Sequence, residues 1–495
     1  MNTILHLVRE AEANVSRAPV PDRRDWMQPT PPRRAIDLTD TPVVRSMLRG
    51  TWFLGTLRWF AGLLLALGIY TALFKPTTNG AFTLAVFWGL FWPFFTAAVT
   101  PTLGNAFCAV CPHGAMGRWL TPRGLGLRIP PWARRMHLGL GLILLTYWLG
   151  AYAMPGGFAR MPILTGWLFL GWTVAAAAMF LVFRDMAHCK VLCPLGNVLT
   201  ATARASSLWI TTDKQSCATC RTFDCAKACA WALKPFRFEA ENTMRDCTLC
   251  MACVQACPSV KVEARAPGHQ FRRPVVRVNR NDAWALLTIT AVAAVGIQFL
   301  HGLNHTPWKA AMPWNTAAPW FVATFGQPAW LSWSGVLCLL LGVTLTAAAA
   351  VPGYTAAARV AGTSRRDAFA VLAPGQAPLA CVAMLSHTMV FFLTVYSANI
   401  ANETVRLLGI ETGAFAPLID RRTAMWLMIF EVTPYIAVTW SLWATWRRAA
   451  VLIPSAPTRR RLAVAALAAA PIWLYVAVYA VKIVAFASGS GHAHH

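Results

Sequence analysis

The chain has 495 residues, 57% of them hydrophobic and only 13% charged, with 23 tryptophans. A soluble protein of this composition would leave too much apolar surface in water, and several apolar runs of membrane-crossing length point to an all-α polytopic membrane protein. The net charge of +25 does not indicate nucleic acid as a partner, because the basic residues gather in alternate loops, the distribution of a membrane chain.

Residues 1–50 are polar and proline-rich, with Arg23, Arg24, Arg33 and Arg34. No apolar stretch precedes a cleavage site, so neither a Sec nor a Tat signal is expected. The segment is expected to be a basic cytoplasmic tail, partly disordered or lying on anionic lipid. About nine apolar spans follow, each near the ~20 residues that cross ~30 Å of hydrocarbon. They run over 52–74, 81–103, 136–154, 163–183, 283–303, 330–351, 375–397, 423–446 and 462–486. Arg118, Arg123, Arg128, Arg134 and Arg135 lie between spans two and three. Arg359, Arg365 and Arg366 lie between six and seven, and Arg447, Arg448, Arg459, Arg460 and Arg461 between eight and nine. The opposite loops carry only Lys75, Arg160, Lys309, Arg406, Arg421 and Arg422. This asymmetry predicts a multi-pass protein of the bacterial inner membrane, with membrane lipid as a partner, N-terminus in the cytoplasm and C-terminus in the periplasm. The loop 304–329, with Trp308, Trp314 and Trp320 among four prolines, is expected to form an interfacial aromatic belt or a re-entrant segment beside a quinone or partner site.

Eight of the fourteen cysteines fall between Cys217 and Pro258. The second run, Cys247, Cys250, Cys253, Cys257 and Pro258, has the C-x2-C-x2-C-x3-C-P spacing of bacterial ferredoxins. The first run, Cys217, Cys220, Cys225 and Cys229, has two extra residues before its third cysteine, and Ala230 stands where proline is expected. Three thiolates on a tight loop bind one side of a cubane, and a distant cysteine closes the cage. Two runs imply two [4Fe-4S] clusters with crossed ligation. Cys217, Cys220, Cys225 and Cys257 would hold one; Cys229, Cys247, Cys250 and Cys253 the other. A four-cysteine zinc site or disulfides are the competing explanations, and the looser first run leaves room for a [3Fe-4S] form. The chain then divides into the tail (1–50), a four-helix membrane region (51–205), an inserted cytoplasmic two-cluster ferredoxin-like α+β module (206–282) and a five-helix membrane region (283–495).

Four more cysteines stand at the ends of spans two and four, in Cys108-Ala-Val-Cys111-Pro112-His113-Gly114 and His188-Cys189-Lys-Val-Leu-Cys193-Pro194-Leu195-Gly196. Each pair follows two apolar helices, which suggests an internal repeat offset by about eighty residues. Cys108, Cys111, Cys189 and Cys193 could hold a third iron–sulfur cluster or another metal, act as redox thiols, or pack helix ends. A duplicated cysteine pair closed by Cys-Pro, followed by a double-run ferredoxin module, resembles the NapH/NosR-type membrane iron–sulfur proteins over residues 50–275. The resemblance implies electron transfer between a quinone pool or membrane partner and a redox partner protein; some members of that group support maturation of a metalloenzyme. Two features depart from it: the NosR-type flavin-binding domain has no room in the short tail, and five further spans follow the module.

His387 in span seven and Glu431 in span eight are ionisable groups in apolar surroundings and could bind a quinone headgroup, or simply tie two helices together. His137 and His301 lie at opposite ends of their spans, His301 and His387 differ in depth, and no C-x-x-C-H occurs, so haem is disfavoured. His305 offers no better pairing. Cys338 and Cys381 suit core packing, Lys482 snorkelling, and His492, His494 and His495 a mobile end. No Walker loop, dinucleotide fingerprint or nucleophile elbow is present. Between Ser206 and Asp282 twelve Lys/Arg face seven Asp/Glu. Each oxidised cluster with four thiolates carries about −2, so Lys214, Arg221, Lys227 and Arg245 are expected to favour reduction.

The expected function is that of a membrane-bound electron carrier or quinone-linked oxidoreductase subunit. The alternatives are a maturation or reactivation factor supplying electrons to a metalloenzyme, and a redox-sensing regulator. On the charge argument, Arg221→Gln or Arg245→Gln lowers a cluster midpoint in a redox titration.

Overall fold

A computed structural model describes residues 35–76, 94–135, 138–154, 161–274, 280–410, 415–416, 419 and 425–488. Five helices among them are long and apolar enough to cross a bilayer: Trp52–Phe74, Pro162–Val182, Arg280–His305, Trp333–Ala361 and Ala470–Ala487. The expected span at 136–154 is a shorter apolar helix, Leu138–Ala153. The one at 81–103 lies largely outside the described residues. The two at 375–397 and 423–446 are not single α-helices. The first is broken between Ala377–Val382 and Leu385–Phe391 and continues through a π-type turn. The second is wound as a 3-10 helix over Met425–Val432 before an α-helix begins at Thr433. Pro434 in the first turn of that helix suits a fresh start, because its missing N–H has no intrahelical partner there.

In chain order, β1 (Ile36–Asp37) and α1 (Pro42–Arg49) precede the first long helix, α2 (Trp52–Phe74). Two short helices follow, α3 (Ala106–Val110) and α4 (Pro112–Leu120), then α5 (Leu138–Tyr147), the long α6 (Pro162–Val182) and α7 (Pro194–Thr202). The cysteine module contains β2 (Leu208–Thr212), α8 (Asp224–Lys227), α9 (Ala252–Ala256) and β3 (Val260–Ala264). Beyond it come α10 (Arg280–Ile289), α11 (Pro313–Phe325), α12 (Trp333–Ala361), α13 (Thr433–Leu452) and α14 (Ala470–Ala487). The three strands form one antiparallel sheet in the order β1-β3-β2.

The N-terminal segment corrects one expectation. Residues 36–49 are not a free tail: β1 pairs with β3, Lys261 meets Asp37 at 2.9 Å, and the Arg49 guanidinium donates to the carbonyls of Val254 and Pro258. The loop at 304–329 is likewise more ordered than its prolines suggested. It contains α11, with Trp314 buried and its Nε1 donating to Asn304 Oδ1 at 2.6 Å, while Trp320 and Trp330 stay exposed. Only part of the tryptophan set is therefore free for an interface.

The longest buried stretch is Arg280–His305, in which 72% of the most apolar window is covered, against 17% for α2 and 22% for α6. Its small residues Ala291, Ala293 and Ala294 admit close neighbours, and Cys338 and Cys381 pack into the same core, as expected. At its start Asp282, 3% exposed, ties three segments together. Its Oδ2 accepts from Arg204 Nη2 just after α7, and its Oδ1 from Arg245 Nε in the module, both at 2.9 Å. Arg448 near the end of α13 donates to the carbonyls of Val371 and Arg273 at 2.8 Å, joining the module to the second half of the chain. Removing one member of a buried ion-pair network leaves uncompensated charge, typically at a cost of about 3–5 kcal/mol. Asp282→Asn is expected to destabilise the folded protein by about 3 kcal/mol, measured as a fall in thermal midpoint in detergent.

Candidate metal centres

The two cysteine runs are separated by folding into a different grouping from their order in the chain. One cavity is lined by Cys217, Cys220, Cys225 and Cys257; a second is lined by Cys229, Cys247, Cys250 and Cys253. The short helices produce the exchange. The segment containing α8 carries the chain from Cys225 to Cys229, α9 carries it from Cys253 to Cys257, and the two helices pack together. Each run thus leaves its last cysteine in the other run's cavity. The two extra residues before Cys225 make a turn at Phe223, whose φ of 53° is left-handed.

Left-handed residues gather around these loops. All eight described non-glycine residues with positive φ fall between Asp185 and Met251, among them Phe223, Ala232, Leu249 and Met251. Such backbone costs energy unless the surroundings require it. Here it turns N–H groups towards sulfur: Phe223 towards Cys220, Trp231 and Leu233 towards Cys229, Leu249 towards Cys247. Concave sets of N–H groups of this kind suit anions, iron–sulfur clusters included.

The two cavities differ in lining. The first includes Thr212, Lys214, Ser216 and Asp224 and is the more polar; the second is walled by Ile210, Trp231, Leu233, Phe238 and Met251. Burial, reinforced by neighbouring thiols, pushes Cys225 up to about 11 and raises Cys247 and Cys253 further. Without a cation the buried thiols stay protonated; binding to iron would replace those protons. Among the described residues no three His, Cys, Asp or Glu side chains converge on a single point suitable for one ion. The cysteines line the two cavities four and four.

The helix-end pairs form a third group. Cys111 and Cys193 are the N-caps of α4 and α7, with nearly the same backbone angles (φ −57°, ψ 127° and φ −62°, ψ 114°) and proline next in each case. Gly196 N–H donates to Cys193 Sγ at 3.4 Å, and Gly114 N–H points to Cys111 in the same way. Gly196 is needed for space, since an added Cβ would stand 2.6 Å from the Cys189 carbonyl; at Gly114 it would make a tight 3.3 Å contact with the Cys108 carbonyl. The unequal spacings, C-x2-C and C-x3-C, are reconciled locally. Cys108 lies on an α-helical turn, whereas Cys189 lies on a wider π-type turn over His188–Leu192 that takes up the extra residue. The four thiols are close enough to raise one another; after burial, Cys111, Cys193 and Cys189 are what push Cys108 up.

This group abuts the second cavity. Trp231, 2% exposed, packs with Cys189, Cys229 and Cys250 in one apolar cluster. Lys190 Nζ donates to the Trp231 carbonyl at 2.6 Å, and Asn105 Nδ2 to the Cys247 carbonyl at 3.3 Å. Arg58, inside the apolar α2, donates to the carbonyls of Ala109 and Cys250. Arg58, Trp231 and the neighbouring Arg118 were not singled out from sequence. A charge within a membrane span was the available signal for Arg58.

Other expected site residues are placed differently. Glu431 accepts from Ser386 Oγ at 3.0 Å and Tyr479 Oη at 3.1 Å, with Lys482 over the Tyr479 ring. Those contacts match the helix-tying role. Glu431 precedes α13, whose Thr433 and Arg448 are fifteen residues apart, roughly 22 Å at helical rise, so it is remote from the module. The His387 side chain and His137 lie outside the described residues. His301 and His305 stack with ring centres 6.4 Å apart on one segment. Arg245, expected to favour reduction, is ion-paired with Asp282 and Asp246, so part of its charge is offset. No family model, curated protein or solved structure matches the chain.

In metal-stripped protein, alkylation at pH 8 followed by mass spectrometry is expected to label Cys220 first. The Phe223 N–H lowers its thiol below the usual range, whereas burial pushes Cys193 up to about 12 and should make it among the slowest.

Proposed function

We propose that this chain is a membrane-bound electron carrier with two [4Fe-4S] clusters in a cytoplasmic ferredoxin-like module, set among about nine membrane spans and exchanging electrons with a redox partner protein and a quinone or membrane partner. Cys217, Cys220, Cys225 and Cys257 would hold one cluster; Cys229, Cys247, Cys250 and Cys253 the other. When bound, such clusters supply one-electron transfer. The observation that carries the reading is the four-and-four sorting of the eight cysteines into two cavities, the grouping that crossed ligation requires. The NapH/NosR-type resemblance agrees with it.

The surroundings suggest an order. The more polar first cavity is the natural contact for a soluble partner, with Arg221 and Lys227 exposed nearby. The apolar second cavity lies inward. Its Cys250 shares a packing cluster with Cys189 of the helix-end set, which would be the membrane-side station, as a third cluster or as redox thiols. The chain's own contribution is to hold thiolates in place, direct N–H groups at them and keep water from the inner site. Glu431, hydrogen-bonded to Ser386 and Tyr479, ties helices together in this reading and is assigned no step.

Two clusters require about eight irons per chain and three about twelve. Iron and sulfide analysis, with EPR of dithionite-reduced protein, is expected to give at least eight; four or fewer in fully loaded protein overturns the reading. Reduction of the same signals by a quinol in reconstituted vesicles is expected of the carrier and not of a regulator.

A further inference from the structure

We propose that Arg118, seconded by Arg58, is an electrostatic junction: one cationic station shared between the second cluster site and the helix-end cysteine set. The inference rests on the electron-carrier reading and names the residues through which the two stations influence each other.

Arg118 leaves α4 seven residues after Cys111, and its guanidinium carbon stands 5.9 Å from the centre of the Trp231 ring. Trp231 lines the second cavity and belongs to the apolar cluster that Cys189 packs against. The Nη1 of Arg118 is wholly shielded and has no hydrogen-bond partner. Cys250 of the second cavity and Cys111 and Cys189 of the helix-end set all act electrostatically on it. Arg58 reaches the same place from the membrane helix: Nε donates to Ala109 O at 2.9 Å, between Cys108 and Cys111, and Nη2 to Cys250 O at 3.2 Å.

Two cations held together repel, and among the described residues no carboxylate pairs with either. Other shielded arginines have partners: Arg448 donates to two backbone carbonyls, and four more have counter-charges. Arg204 and Arg245 share Asp282, and Arg265 and Arg273 share Glu239. A shielded, unpaired cation is unfavourable unless an anion adjoins it. Thiolate-ligated iron would supply that charge at Cys250, and bound metal or ionised thiols would supply it at Cys111 and Cys189. One-electron reduction adds a further negative charge, so a fixed cation favours the reduced form and raises the potential of the adjacent centre. The cluster held by Cys217, Cys220, Cys225 and Cys257 sits in the more polar cavity and should respond much less.

The test uses full-length protein and the variants Arg118→Gln, Arg118→Lys and Arg58→Gln. Iron and sulfide are measured first, then midpoints by EPR-monitored titration with dithionite. Arg118→Gln is expected to keep its iron and move one cluster midpoint to lower potential; Arg118→Lys, which keeps the charge, should stay near the parent. The moving signal is expected to be the one altered by Cys250→Ser. Unchanged midpoints in iron-loaded Arg118→Gln overturn the proposal, as does an equal shift in the Gln and Lys variants, which would indicate shape rather than charge. Should Arg118→Gln lose its iron, Arg58→Gln must move the same midpoint downward, and no movement there overturns it. Absence of cluster signals in the parent protein would instead overturn the electron-carrier reading.

Discussion

Negative charge on sulfur is difficult to hold in an apolar interior, and that difficulty organises the middle of this molecule. Twelve cysteines lie in the module and at the helix ends beside it, and burial raises many of their thiols. Binding as thiolates requires compensation from metal, N–H dipoles or fixed cations. The chain supplies the second and third. Left-handed turns aim N–H groups at Cys220, Cys229 and Cys247. Two helix N-termini aim them at Cys111 and Cys193. Arg58 and Arg118 stand between the groups.

A second constraint is mechanical. The module is not hung on a flexible loop. Asp282 joins it to α10 and to the end of α7, Arg448 joins it to α13, and Arg49 anchors the incoming N-terminal segment to the strand and loop after Cys257. Trp231 and Lys190 complete the joint beside the second cavity. The proposed relay would benefit from such rigidity, because packing then sets the separation between the two cavities and the helix-end cysteines.

Charge counting along the chain proved a poor guide to which cations matter. Arg245 precedes Cys247 by two residues and looked well placed, yet Asp282, 37 residues further on, offsets part of its charge. Arg118 looked like one of several basic residues in a loop on the positive side. Only its position against Trp231 separates it from Arg123, which lies over the exposed Trp119 instead. Glu431 was conspicuous as an acid in an apolar run, but Ser386 and Tyr479 satisfy it.

The sequence by itself determined the membrane class, the five clearest spans, the two cysteine runs and the duplicated Cys-Pro pairs. These are local signals: apolar length, ligand spacing, and proline at a helix start are legible within a few residues. It also suggested the crossed grouping of the cysteines, through the ferredoxin spacing of the second run, while the looser first run left alternatives open. Tertiary structure decided which segments joined the module, because β1 has no meaning until β3 lies beside it. It decided how a C-x2-C and a C-x3-C could serve equivalent places, through one wide turn. And it decided which arginines face sulfur without a carboxylate. Electrostatic partnership depends on distance through space, and residues tens or hundreds of positions apart in the chain are brought within that distance only by the packed fold.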